Sequence, residues 1–254
     1  MSTSTAELRK LAHQLGVEPG RLDFLERVPV DDLRTLRAQI GDYLFETDKH
    51  HFTKVAAISR LVPAAIAAKV TEFALTPLIA ARTAELLEPH RAAEMVGRLS
   101  DGYLADVSAA MDPSRAPEVI SRIPPEHVSK VGAELARRGE WVVMGAFVSV
   151  VSDPALEAAV ADLDGEQLLR VGYVLDDLDR MDDIIAVLSD DQLDGMLTAA
   201  VEHELWAELD GVLTSLSGTQ ATRIAGRYAA ASAQTRSVID AAPLSAAARA
   251  ALAA

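Results

Sequence analysis

The chain of 254 residues contains no cysteine, and only 4% of its residues are aromatic. The first absence excludes structural disulfides, thiolate nucleophiles and cysteine-ligated zinc. The second is unusual for a large globular core, because aromatic rings normally supply much of its buried area. Half of the residues are nevertheless apolar, with alanine the most frequent. A core of Ala, Val, Leu and Ile would let thin helices approach one another closely.

Long uninterrupted apolar runs are also lacking. The most apolar window, residues 61–81, contains Pro63, Lys69, Glu72 and Pro77, whereas a membrane span needs about 20 apolar residues with few charges. The first residues lack the basic and apolar regions of a secretory signal. We therefore expect a soluble, cytoplasmic protein that does not span a membrane.

The net charge of −14 is concentrated in one segment. Residues 1–150 carry 20 acidic and 18 basic side chains, a balance of −2. Residues 151–210 carry 17 acidic side chains against two basic ones, a balance of −15, and residues 211–254 have one against four, a balance of +3. Because such an acidic surface repels phosphate backbones, nucleic acid is not an expected partner.

Residues that typically end one helix and begin the next, here called breakers, recur along the chain with a period of twelve. Pro77, Pro89, Pro113 and Pro125 lie on this grid, and Asp101 occupies the one position that they leave empty. After a longer unit a similar spacing resumes, at Asp153, Gly165, Asp177 and Asp190. Proline suits the first turn of a helix, and Ser or Asp beside it accepts hydrogen bonds from the open N–H groups. The grid therefore predicts a series of short helices.

Between the breakers, apolar residues recur at steps of three and four, as in Leu104, Val107 and Met111. This spacing places them on one helical face. A helix of eight or nine residues is only about 13 Å long and is not stable alone in water. It persists when its apolar stripe packs on neighbouring units, as in an α-solenoid. We predict an all-α solenoid, with a compact bundle of similar helices as the alternative.

The pattern divides the chain into three parts. Residues 1–53 are predicted to form a small helical N-terminal region that caps the series or pairs two copies of the chain. Residues 54–228 carry the repeat, and the alanine-rich residues 229–254 are expected to form a loosely held terminal helix or tail. Within the first part the apolar pattern predicts three helices, at about 4–15, 21–28 and 30–46.

Two units resemble the repeat of the MgtE intracellular N domain. They are residues 89–99, PHRAAEMVGRL, and residues 111–124, MDPSRAPEVISRIP, and the resemblance covers roughly residues 77–217. It implies a right-handed superhelix of short helices, similar to the helical modules of the flagellar rotor protein FliG, and a regulatory role in magnesium sensing through an acidic surface. The chain holds neither a pore segment nor a pair of CBS domains, so we expect a regulatory module and not the transporter.

The densest group of carboxylates is the candidate metal site. Like charges at helical spacing repel one another, and a hard divalent cation would relieve that repulsion. We predict weak binding of Mg²⁺ or Ca²⁺ by the predicted ligands Asp176, Asp179, Asp182, Asp183 and Asp190. The alternative is a solvated acidic face in which several of these groups cap helices.

His50 and His51 are the candidate cofactor ligands, for a transition metal or a porphyrin beside the apolar stretch 55–80. Adjacent residues on a helix point about 100° apart, so both cannot easily ligate one ion. A surface loop or a helix start is the alternative interpretation of this pair.

No catalytic motif is present. Glu202 and His203 begin like a zincin helix, but alanine stands at 207, where the second histidine belongs. We therefore predict a protein that is not an enzyme. It would be an interaction or regulatory module that binds a protein partner through its groove or acidic flank, with possible Mg²⁺ dependence and pairing of copies through the N-terminal region. The alternative is a carrier of a lipid or haem in an apolar pocket formed by residues 54–88.

Overall fold

The breaker residues divide the chain into helices as the sequence predicts. The computed structural model describes residues 4–59 and 61–254, without the side chains of residues 48, 50, 51, 55, 58 and 59. The α-helices span Ser4–Leu15 (α1), Val30–Ser59 (α2), Ala64–Ala74 (α3), Pro77–Ala84 (α4), Pro89–Val96 (α5), Asp101–Ala110 (α6), Pro117–Ile120 (α7), Pro125–Arg138 (α8), Trp141–Phe147 (α9), Asp153–Val160 (α10), Gly165–Tyr173 (α11), Met181–Val187 (α12), Asp190–Glu202 (α13), Trp206–Thr214 (α14), Gly218–Ala230 (α15), Ala233–Ala241 (α16) and Ala246–Leu252 (α17). Short 3₁₀ segments lie at Pro19–Leu25, Pro113–Arg115 and Leu178–Arg180. The described part of the chain contains no strand, which confirms the all-α class.

The helix ends follow local capping chemistry. Asp164 and Ser189 each form a capping box, with Gln167 and Gln192 as the third helical residues. The side chain of each cap accepts from the backbone N–H of the glutamine, whose own side chain bonds back to the N–H of the cap. Gly139 ends α8 with a φ of 75°, a left-handed conformation that glycine adopts without steric cost. The two capping boxes place the starts of α11 and α13 at Gly165 and Asp190, which confirms these two positions of the grid.

Helices two apart in the chain contact one another over most of the molecule. One line of contacts runs through α2, α4, α6, α8, α10 and α12, and a second joins α3, α5 and α7. A third continues through α9, α11, α13, α15 and α17. Short helices along these lines thus bury apolar residues against helices two places away in the chain, which is the stabilisation that helices of this length require.

The largest core cluster extends to the C-terminal end of the chain. Ile239 in α16 and Ala248 in α17 are fully buried, and α17 packs on α14 and α15. The expectation of one loosely held terminal helix at residues 229–254 is therefore wrong. The segment forms two helices with small apolar faces, because Ser232 and Ser245 each cap a new helix.

The N-terminal region differs from its prediction in two of three helices. The first helix ends at Leu15 as expected, but the second is a 3₁₀ segment, Pro19–Leu25. The third continues to Ser59, because no proline interrupts the chain before Pro63. The expected division between residues 53 and 54 consequently lies within α2.

The described residues, 4–59 and 61–254, include no helix with the length and apolarity needed to cross a bilayer.

Candidate functional site

A buried ion network attaches α1 to the distant end of α11. The side chain of Lys10 is 2% exposed and that of Glu7 is 1% exposed. Lys10 Nζ donates to Glu7 Oε1 at 3.0 Å, to Asp176 Oδ1 at 3.0 Å and to the carbonyl oxygen of Leu175 at 2.9 Å. An ammonium has three N–H donors, so all three are satisfied. This pairing offsets the desolvation of a charge that is otherwise costly to bury.

Two arginines of α2 complete this network. Arg37 Nη2 donates to Asp176 Oδ1 at 2.7 Å, and Arg34 Nε donates to Glu7 Oε1 at 3.3 Å. Burial raises the pKa of Asp176, but the charges of Lys10 and Arg37 outweigh it and hold the pKa below its ordinary value. Asp176 therefore remains ionised at neutral pH and links both N-terminal helices to the repeat.

A second set of contacts fixes α2 to the repeat about two turns further along. The guanidinium of Arg115 lies 4.3 Å from the ring centroid of Phe45 and pairs with Asp42 of α2. Arg115 Nε also donates to Asp112 Oδ2 at 3.2 Å. Arg82 lies on the same ring, with its guanidinium 5.9 Å from the centroid. Both guanidinium groups thus lie within the distance of a cation–π interaction with the Phe45 ring.

The side chain of Glu85 pairs with Arg82. Its side chain is fully buried and accepts from Arg82 Nη1 at 3.0 Å and from the backbone N–H of Asp112 at 3.1 Å. Burial raises the pKa of Glu85, while the Asp112 N–H and the charge of Arg82 oppose that rise. These bonds fix the position of the Arg82 guanidinium.

Between these two sets of contacts lies an open cleft of about 670 Å³. This volume is in the range of small-molecule sites, roughly 300–1,000 Å³. The cationic side chains of its lining are Lys10, Arg34, Arg37, Arg82 and Arg115, with His13 beside them. The carboxylates are Asp42, Asp112 and Asp176. The apolar side chains of the lining come mainly from α9 and from the end of α6. The sequence does not reveal this cleft, because its lining residues are scattered from Lys10 to Asp176, 166 positions apart.

The structure does not bring the five predicted metal ligands together. Asp176 faces Lys10, whereas Asp182 accepts from the backbone N–H of Ser217 at 3.0 Å. Asp183 Oδ2 lies 3.5 Å from Arg180 Nη1. In the described part of the chain, no three His, Cys, Asp or Glu side chains converge to hold a metal ion.

Two other acidic residues of this segment, Asp190 and Asp194, pair with arginines of α15. Asp190 lies 3.1 Å from Arg223 and 3.2 Å from Arg227, and Arg227 also pairs with Asp194. Asp179 is exposed, and its backbone N–H bonds to Asp177. The acidic segment is therefore partly neutralised by a basic helix that follows it in the chain.

His50 and His51 lie in the interior of α2, so the alternatives of a loop or a helix start are wrong for their backbone. Their side chains lie outside the described residues. An apolar cavity beside residues 54–88 has a volume of about 90 Å³ and is lined by Leu75, Leu87 and residues further along the repeat. That is well below the roughly 300 Å³ of typical ligand pockets.

The apolar side chains of α3 lie at the surface. Ile66, Val70 and Phe73 share one helical face and are 53%, 55% and 94% exposed. The opposite face of α3 packs on α5, where Ala67 and Ala68 are buried. Of the twelve large apolar side chains exposed in the described chain, eight belong to residues 36–78. The apolar composition of the window 61–81 does not predict this exposure, since hydropathy does not show which face of a helix is covered.

No protein-family model, curated protein or solved structure matches this chain. Two features of the structure therefore suggest a function: the cleft between the α1–α2 pair and the repeat, and the exposed face of α3.

Proposed function

We propose that this chain is a non-catalytic helical interaction module that pairs with a second copy of itself. The docking surface is the end face, defined as Ile66, Val70 and Phe73 on α3. The observation that carries the proposal is the 94% exposure of Phe73, on a helix whose other side is packed. An apolar stripe of this kind stays in water only at a free-energy cost of about 25 cal/mol per Å².

The position of α3 in the helix series supports this proposal. Most helices of the series have neighbours two before and two after them, whereas α3 packs on α5 and its other side is exposed. Terminal repeats of helical arrays normally present a polar outer surface. The apolar end face instead offers a site on which one more helix can stack, at an interaxial distance of about 8–10 Å.

The charge distribution favours a second copy as the occupant. Residues 42–75 contain four acidic and four basic side chains and so carry no net charge, whereas residues 151–210 carry −15. Two copies can therefore approach at the end face without the repulsion that their acidic flanks would produce. A two-fold axis through α3 would pair the same stripe with itself, as in most homodimers.

We also propose that the series from α3 onward winds as a right-handed superhelix. The contacts between helices two apart support this arrangement, which the resemblance to the MgtE N domain implies. The acidic flank is not the docking surface in this proposal, because Arg223 and Arg227 already engage it.

Sedimentation velocity over a concentration series tests the proposal. We expect the wild-type chain to form dimers at micromolar to tens of micromolar concentrations, and Phe73→Asp to be monomeric. Phe24→Asp is the matched control, because Phe24 is 77% exposed and lies outside the end face. Raised salt should leave an apolar dimer intact. A monomeric wild-type chain, or equal loss of dimer in both variants, would contradict the proposal.

A further inference from the structure

We infer that the cleft between the α1–α2 pair and the repeat is a binding site for a small organic anion with an apolar body. The expected head group is a carboxylate or a phosphate ester. This inference does not depend on dimer formation, because the cleft and the end face are different surfaces.

The lining of the cleft combines two kinds of side chain. Arg34 and Arg37 belong to the first set of contacts described above, and Arg82 and Arg115 belong to the second. The apolar part of the lining includes Met111, Val142, Val143, Ala146 and Phe147. Guanidinium groups match the geometry of carboxylate and phosphate oxygens, whereas the apolar part suits a hydrocarbon chain or ring. A ligand that satisfies both kinds of side chain is an amphipathic anion.

Two of these guanidinium groups are held in place before a ligand arrives. Arg115 is fixed by Asp42, Asp112 and the ring of Phe45, and the ion pairs described above engage its Nε and Nη2. Arg82 uses Nη1 for both oxygens of Glu85. Since a guanidinium has five N–H donors, further donors of both groups are left for a ligand. Such preorganisation reduces the entropy lost on binding.

The charge balance of the cleft limits what this site can attract. Its lining has five cations against three carboxylates, a balance of +2 with His13 neutral. The buried Glu7 and Glu85 lie just behind it and offset this charge, and the chain as a whole carries −14. Recognition therefore depends on short hydrogen bonds at the head group together with burial of the apolar body. A purely polar anion gains only the hydrogen bonds.

Calorimetric titration tests the inference with decanoate as the probe, kept well below its micelle concentration. Decanol is the neutral counterpart and inorganic phosphate the purely polar one. The titrations use the full chain carrying Phe73→Asp, so that failure of the dimer proposal does not affect them. We expect one decanoate per chain. Decanol should bind at least about tenfold more weakly because it loses a charge-assisted hydrogen bond, and phosphate at least about tenfold more weakly because it has no apolar body to bury.

Arg115→Gln and Asp42→Asn form a matched pair of variants. Both break the same ion pair, but only Arg115→Gln removes a cation from the cleft. We expect Arg115→Gln to weaken decanoate binding by about tenfold or more, and Asp42→Asn to bind at least as tightly as the parent. Circular dichroism confirms that both variants remain folded.

Three results would overturn the inference. The first is the absence of decanoate binding. The second is decanol or phosphate binding as tightly as decanoate, which would remove the need for a charged head or for an apolar body. The third is equal weakening by Arg115→Gln and Asp42→Asn, which would show that the ion pair acts only on the structure.

Discussion

The ammonium of Lys10 lies 2.9 Å from the carbonyl oxygen of Leu175, a residue 165 positions further along the chain. The same ammonium pairs with Asp176, the first of the five predicted metal ligands. Asp176, which the sequence suggests as a ligand of a metal cation, is therefore paired with a cationic side chain of the protein itself. The bond attaches the N-terminal helices to the repeat and so forms one end of the cleft.

Lys10→Met should destabilise the chain by about 3 kcal/mol, because removing one member of a buried ion network leaves the remaining charges poorly compensated. Lys130→Met is the control, since Lys130 is exposed on α8 and surface changes usually stay within about 0.5 kcal/mol. Urea unfolding followed by circular dichroism measures both. Equal stability of the two variants would show that the network does not support α1.

The attachment of α1 should depend on the ionisation of Asp176. The lowered pKa of Asp176 means that its contribution to stability is present above its unfolded pKa of about 3.9 and is lost as the pH falls through the folded value. Trp141 packs in one cluster with Ala6 of α1 and so reports on this contact.

In a Trp206→Phe background, Trp141 fluorescence should stay constant from neutral pH to about 4 and change below it. Asp176→Asn should remove that acid-dependent step and show a partly released α1 at neutral pH. An identical acid profile in both chains would refute the role of Asp176.

Gly165→Ala should destabilise the fold by about 3 kcal/mol, the upper range for overpacking a core. An added Cβ would lie 2.1 Å from the carbonyl carbon of Gly195, where α11 meets α13 backbone to backbone. Gly195→Ala is the matched variant, because its Cβ would meet Gly165 only at 3.7 Å, an ordinary contact. Thermal unfolding should show a large loss for the first and little change for the second. Similar losses would contradict this close approach.

Magnesium should not raise the unfolding temperature at millimolar concentration. Asp182 bonds to Ser217 and Asp190 to two arginines, so binding an ion there would require these contacts to break. A thermal shift assay with Mg²⁺, with Na⁺ at equal ionic strength as the control, checks this. A rise in unfolding temperature specific to Mg²⁺ and lost in Asp182→Asn would restore the metal-site hypothesis.

What the sequence could predict was local. Ser189 and Gln192 are three residues apart, so their capping box is visible in the sequence. Seven of the nine breaker positions on the grid are the first residue of an α-helix. The partners of Asp176 and Asp190 lie at Lys10 and Arg223, and no short-range pattern indicates such pairings. The exposure of Phe73 was also unpredictable, because it depends on whether a helix precedes α3 in its line of contacts.

The end face is tested most directly by the distance between two copies. The cysteine-free chain accepts a single nitroxide label at Lys69→Cys, beside the end face, or at Gln234→Cys on the distant α16. Pulsed electron resonance should give a distance between copies of at most about 25 Å at position 69, about twice the helix diameter, and a much longer one at position 234. No dipolar signal at position 69, or a shorter distance at position 234, would contradict pairing through α3.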